Sequence, residues 1–166
     1  SNLTYNKKGY QHNNHIMSKI GVHAQKLKKK LVVLIDKDTE AFNQIMSAYR
    51  LSKKTDKDKE NRNKAILQAT KHAIDIPLSI MEKSSELLTL MNELIKYGNK
   101  NSFSDGAVAI ELLIASIRGG HYNVKINLKD IDDSKYIHSI TKKADLIIDR
   151  ASSDYKQLLK IINKEL

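Results

Sequence analysis

The sequence predicts an all-α fold, a multi-helix bundle with one long amphipathic helix. Three observations lead there. One Pro, six Gly and no Trp in 166 residues argue against a β-rich or loop-rich chain. Lys, Leu, Ile and Ala are plentiful and suit helices. Apolar residues recur at helical spacing over most of the chain, and only Asn123 to Asn127 has a strand-like pattern. The length fits a single domain spanning 1–166, large enough to bury a core.

The elements follow in order. Ser1 to Gly9 is polar and ends at Lys7-Lys8-Gly9, cations before a glycine, which is a helix-stop signal. Leu3 and Tyr5 read as the last turn of a helix whose beginning is absent, as in an N-terminally truncated domain. Gln11 to Leu51 reads as one amphipathic helix with a seam of Met17, Ile20, Ala24, Leu27 and Leu31. It would reach on the order of 60 Å, long enough to require a partner helix or a second subunit. Ser52 to Lys64 is a charge-dense hinge in which Thr55 and Asp58 have the spacing of a capping box. The next helix carries Ile66, Ala69, Ala73 and Ile76 to Pro77. Pro77 either kinks it or starts a new helix to Tyr97 with Leu78, Met81, Leu88, Met91 and Ile95 inward. A kink would free the carbonyl of Ala73.

Gly98 to Asn101 ends that helix, Ser104 is placed to cap the next, and Asp105 in its first turn complements the dipole. From Asp105 to about Arg118 the sequence is apolar almost all round, the profile of a central helix. Gly119-Gly120 is expected to end it, leaving Asn123 and Asn127 as turn or cap residues or as ligand contacts. A last helix opens at Asp132-Asp133, with Tyr136, Ile140, Ala144, Ile147, Ala151 and Leu158 on one face.

Within the long helix, Leu31, Ile35, Asp38, Phe42, Ile45 and Tyr49 fall on one stripe. All but Asp38 are apolar or aromatic, so the stripe is expected to face the core. A buried carboxyl is costly to ionise, which raises its pKa and suits it to proton transfer near neutral pH. The plainer reading is an ion pair or a slight rotation of the helix. Asp36 and Glu40 lie off the stripe and are expected in solvent.

Several functions are disfavoured by what the chain lacks. Without Cys there are no disulfides, thiolate metal ligands or cysteine nucleophiles, in keeping with a reducing cytoplasm. No apolar run approaches the ~20 residues needed to span a bilayer, so no membrane partner is expected. The net charge of +10 and pI of about 9.6 suggest nucleic acid. However, the lysines are scattered, aromatics are 5% of residues, and no stacking platform appears, so no nucleic-acid partner is expected. His12, His15 and His23 match no ligand spacing, and no metal site is expected. Phosphate loops and nucleophile elbows are missing too. A core acid, a kinked helix and two amides beside a Gly-Gly pair suggest a small-molecule site without naming a reaction.

A resemblance names one. The run Leu34-Ile-Asp-Lys-Asp-Thr-Glu-Ala-Phe-Asn-Gln-Ile-Met-Ser-Ala-Tyr-Arg-Leu51 resembles the signature of the formiminotetrahydrofolate cyclodeaminase and methenyltetrahydrofolate cyclohydrolase family. So do Ala69-Thr-Lys-His-Ala-Ile-Asp-Ile-Pro-Leu78, Gly98-Asn-Lys-Asn-Ser-Phe-Ser-Asp105 and Asn123-Val-Lys-Ile-Asn127, with Leu3-Thr4 and Lys7-Lys8-Gly9-Tyr10 before them. These blocks keep the family's order over nearly the whole chain. Two departures are mild: Ser52 replaces an expected Pro, and Gly106-Ala107 varies the small residues after Asp105.

The resemblance implies an all-helical cyclodeaminase domain that forms a homodimer and binds folate, including polyglutamylated folate. It makes Asp38 the catalytic acid and places Asp105, Asn123 and Asn127 at the pterin edge or the pocket wall. It leaves Arg50, Lys7 or Lys8 for the glutamate tail. The implied reaction is cyclodeamination of 5-formiminotetrahydrofolate to 5,10-methenyltetrahydrofolate with release of ammonia, in histidine breakdown. Methenyltetrahydrofolate cyclohydrolase is the close alternative. The family begins with a helix bearing Pro-Gly-Gly-Gly-Ser, and this sequence starts after it. A different class, a helical interaction or assembly module, also fits the composition.

Overall fold

A computed structural model describes residues 1–165. Four long helices follow one another: α1 (Asn14–Tyr49), α2 (Asp56–Tyr97), α3 (Phe103–Leu128) and α4 (Ser134–Glu165). Short 3-10 turns at Gln11–Asn13 and Lys100–Ser102 precede α1 and α3. The described residues contain no strand, so the fold is all-α as expected. None of these helices is long and apolar enough to cross a membrane.

The hub is α2, which packs on α1, α3 and α4, while α3 and α4 also pack on each other. The main core joins Ile74, Met81 and Leu88 of α2, Ile110, Ile114 and Ile117 of α3, and Ala151 and Leu158 of α4. A smaller cluster joins Leu34 and Ala41 of α1 to Ala73 and Ile76 of α2. The expectation that α3 is the central helix is corrected: Val108, Leu112, Tyr122 and Ile126 form an exposed apolar face on it.

The start of α2 is fixed by the expected capping box. The Thr55 hydroxyl accepts from the Asp58 amide at 3.1 Å, and the Asp58 carboxylate accepts from the Thr55 amide at 3.2 Å. Pro77 lies buried inside α2, which runs on without a break, so it is no element boundary. The glycine pair does not end α3 either. A Cβ on Gly120 would come within 2.7 Å of Met81 Cγ and 3.0 Å of the Pro77 carbonyl oxygen. Gly120 therefore lets α3 approach α2 closely, whereas Gly119 faces open space. As a result Asn123 and Asn127 are helical residues and not turn or cap residues. The expected Ser104 cap also differs, because α3 begins at Phe103 after a turn in which the Asn99 side chain accepts from the Asn101 amide.

The first ten residues form a strap over one end of the bundle. Thr4 is buried and its hydroxyl accepts from the Asn99 amide at 2.8 Å, while Asn99 Nδ2 donates to the Leu3 carbonyl at 3.2 Å. Asn6 (φ 57) and Gly9 (φ 88) turn the chain through left-handed conformations on either side of Lys7-Lys8. At the start of α4, Asp133 accepts from the Tyr136 amide at 3.0 Å and pairs with Lys71 Nζ at 3.1 Å. The Tyr136 amide and then the Lys71 ammonium hold its carboxyl below the usual carboxylate range.

Candidate functional site

Helix register decides which sequence-predicted residues meet. α1 and α2 run antiparallel, with Asn13 Nδ2 donating to the Tyr97 carbonyl at one end and Arg62 Nε to the Tyr49 carbonyl at the other. Between them, His72 Nδ1 and Gln44 Oε1 are 3.0 Å apart. α2 and α3 also run antiparallel, with the Ser84 and Ser116 hydroxyls 3.1 Å apart and Asn127 Nδ2 3.5 Å from the Ala73 carbonyl oxygen.

Asp38 belongs to the segment of α1 at this last level. It stands between Leu34 and Ala41, both of which pack with Ala73 and Ile76. At 100° per residue it lies roughly 120° around α1 from Gln44. Gln44 meets His72 of α2, so Asp38 lies on a different side of α1 from that contact. By helix register, Asp38, Asn123 and Asn127 lie near the level of the Ala73–Pro77 stretch of α2. This brings three of the expected site residues to one level of the bundle.

The others lie elsewhere. Asp105 begins α3, 22 residues before Asn127, so the two are separated by ~33 Å along the helix. Asp105 lines a cavity of about 170 Å³ beneath the strap, with Thr4, Asn99, Phe103 and Gly106. Lys7 and Lys8 sit on that strap, where Lys7 Nζ lies 6.0 Å from the Tyr10 ring centroid. Arg50 follows α1, ~18 Å along the helix axis from Asp38 and exposed. Within one protomer the seven candidates do not form a single site.

The expected core-facing stripe of α1 requires correction. The face turned inward is Met17, Ile20, Leu27, Leu34, Ala41 and Ala48. On the expected stripe Leu31 and Ile45 are partly buried, while Ile35 (66%), Phe42 (60%) and Tyr49 (47%) are exposed. Asp38 is exposed with them, so the expected burial of its carboxyl is corrected. The physical reason is that α1 carries two adjacent apolar stripes and only one large neighbour, α2. The stripe with small Ala41 and Ala48 allows the closer approach and takes the contact. Asp36 and Glu40 are exposed as expected.

The described residues contain no group of three His, Asp or Glu side chains placed to hold a metal ion. No buried side-chain nitrogen or oxygen among them lacks a hydrogen-bond partner. Asp38 contributes an ionisable carboxyl, Asn123 and Asn127 amide donors and acceptors, and Ile35, Phe42 and Ile126 exposed apolar surface on the same helices. Those groups can exchange a proton and form hydrogen bonds with a bound small molecule. Sequence reasoning missed the Gln44–His72 contact, for which no pattern in either helix gave a signal. The Ala73 carbonyl was visible in advance through the position of Pro77.

Comparison with known proteins bears on this arrangement. The family model described as Formiminotransferase-cyclodeaminase matches residues 1–146. The formimidoyltransferase-cyclodeaminase of Gallus gallus is 28% identical over 162 residues, which covers 98% of this chain and 30% of that protein. The chain therefore spans less than a third of the length of that curated relative. The methenyltetrahydrofolate cyclohydrolase of Methylorubrum extorquens is 29% identical over 165 residues, covering 99% of this chain and 79% of that protein. A crystal structure of formiminotetrahydrofolate cyclodeaminase from Thermotoga maritima matches with a TM-score of 0.87 and 28% identity. That match covers 98% of this chain and 77% of the other. With the helical order, the Asp38 signature and these matches in agreement, the chain belongs to the formiminotransferase-cyclodeaminase family.

Proposed function

We propose that this chain is a single folate-dependent one-carbon domain that converts 5-formiminotetrahydrofolate to 5,10-methenyltetrahydrofolate. N10 attacks the formimino carbon, a C–N bond closes the ring, and ammonia leaves. The reaction needs a proton removed from N10 and one delivered to the departing nitrogen. Asp38 performs both transfers in turn. The observation that supports this reading is the contact of Asn127 Nδ2 with the Ala73 carbonyl oxygen, at the level where Leu34 and Ala41, on either side of Asp38 in sequence, pack on Ala73. Asn123 and Asn127 contact the pterin edge. Arg50, exposed just after α1, meets the glutamate tail, including polyglutamylated forms.

Asp105, Lys7 and Lys8 act at the strap end, ~33 Å away along α3, and so cannot touch the same pterin in one protomer. The proposal includes a homodimer whose second copy covers exposed apolar residues such as Phe42 and Ile35. It also includes a cytoplasmic setting and a role in histidine breakdown. One observation favours a second reaction: the M. extorquens relative, matched over most of its length, is a methenyltetrahydrofolate cyclohydrolase. In that case the same carboxyl activates water against the methenyl bridge.

Two assays separate the readings. The chain is incubated with 5-formiminotetrahydrofolate while methenyl absorbance is followed, and separately with 5,10-methenyltetrahydrofolate while it decays. Asp38→Asn is run beside the parent in both, with circular dichroism as a check on folding. Turnover of one substrate, lost by at least ~100-fold in a folded Asp38→Asn variant, is expected. Equal rates in both proteins would remove Asp38 from the mechanism, and turnover of neither substrate would favour the interaction module.

A further inference from the structure

Pro77 is difficult to explain from helix stability alone. It is the chain's one proline and sits buried inside a 42-residue helix, where proline is strongly disfavoured. Having no amide hydrogen, it cannot donate to the carbonyl four residues back, that of Ala73. Ala73 itself packs with Leu34, Ala41 and Ile76. The side chain that reaches it is Asn127, whose Nδ2 is 3.5 Å away across the α2–α3 contact.

This contact has a consequence for polarity. A primary amide presents two donors on one side and an acceptor on the other. Turned the other way, Asn127 would set its oxygen against the Ala73 carbonyl oxygen, two acceptors facing each other. The freed carbonyl therefore determines which end of the amide points down into α2. We infer that Pro77 is a positioning residue for Asn127: it leaves the Ala73 carbonyl to Asn127 Nδ2, and so turns Asn127 Oδ1 outward as an oriented acceptor for an N–H of the bound ligand.

This rests on the folate reading above and deepens it. A pterin has a donor edge, its ring N–H beside an exocyclic amine, and an outward amide oxygen suits that edge. The competing account is that Pro77 serves packing alone, since its carbonyl oxygen lies 3.0 Å from where a Cβ on Gly120 would be. Packing alone gives Pro77 no influence on Asn127.

The test is a double-mutant cycle on the full chain with Pro77→Ala, Asn127→Ala and the pair, titrated with 5-formyltetrahydrofolate as a stable substrate analogue. Alanine at 77 restores the amide hydrogen, which competes for the Ala73 carbonyl. Each single substitution is expected to weaken binding about tenfold, and the double no further than Asn127→Ala, because proline acts through the asparagine. The Asn127 side-chain amide signal, identified by its loss in Asn127→Ala, is expected to move in the nitrogen–proton spectrum of Pro77→Ala. Binding by Pro77→Ala equal to the parent's, or penalties that simply multiply, would overturn the inference. So would an unmoved Asn127 signal, a readout that needs no ligand. Failure of the parent itself to bind would instead strike the folate reading, and with it the ligand assigned to Oδ1.

Discussion

Two neighbouring glycines on α3 provide a stringent test of the packing described above. Gly119→Ala and Gly120→Ala make the same chemical change, one residue apart, inside the same helix. Each gains the intrinsic helix preference of alanine over glycine, ~0.5–1 kcal/mol. At Gly119 nothing lies within 4 Å of the added methyl, so the gain is expected in full. At Gly120 the methyl meets Met81 Cγ at 2.7 Å and the Pro77 carbonyl oxygen at 3.0 Å. Methionine can adjust part of its side chain, but the carbonyl belongs to the backbone of a buried helix. Overpacking of this kind costs ~1–3 kcal/mol, which exceeds the propensity gain. Gly120→Ala should therefore be ~1–3 kcal/mol less stable than Gly119→Ala. With ~2–4 °C per kcal/mol for a chain of this size, the difference is readily measured. Urea unfolding followed by helical ellipticity at fixed protein concentration measures it. Equal stability of the two variants, or a more stable Gly120→Ala, would refute the close α2–α3 approach.

Two further outcomes follow from the core and from the start of α4. Leu88 is 0% exposed in the main cluster, so Leu88→Ala should cost ~2–5 kcal/mol with an unchanged denaturant slope. The Asp133 carboxyl is held below its ordinary range, so it binds a proton less readily folded than unfolded. Its contribution to stability is therefore present above the ordinary carboxylate range and disappears as pH falls through its lowered value. Asp133→Asn should destabilise the chain at pH 7, and the gap to the parent should narrow on acidification in matched urea titrations. A gap that widens in acid would reverse the sign and dismiss the Tyr136 and Lys71 contacts.

The all-α class, the long first helix, the Thr55–Asp58 cap and the carbonyl released by Pro77 could all be read from sequence, because each depends on neighbours in the chain. The errors came where contacts between helices overrode local signals. Gly119-Gly120 reads locally as a stop, but it is retained because α2 leaves no room for a Cβ at position 120. The stripe through Asp38 was chosen for its large residues, yet the bundle uses the adjacent face, where Ala41 and Ala48 carry little hydrophobic weight but permit contact. Asp105 and Asn127 looked like members of one site because sequence motifs carry no distances. They stand at opposite ends of α3, ~33 Å apart along a helix that local signals would end at Gly119-Gly120.

Because α1 rests on one substantial neighbour while α2 has three, cohesion across the molecule is uneven. Amide protons of α1 should exchange with solvent sooner than those at the centre of α2, reflecting cheaper partial opening. The proposed catalytic acid then resides on a helix anchored through a single large contact. Whatever clasps α1, substrate or companion subunit, would slow that exchange first and register there before anywhere else.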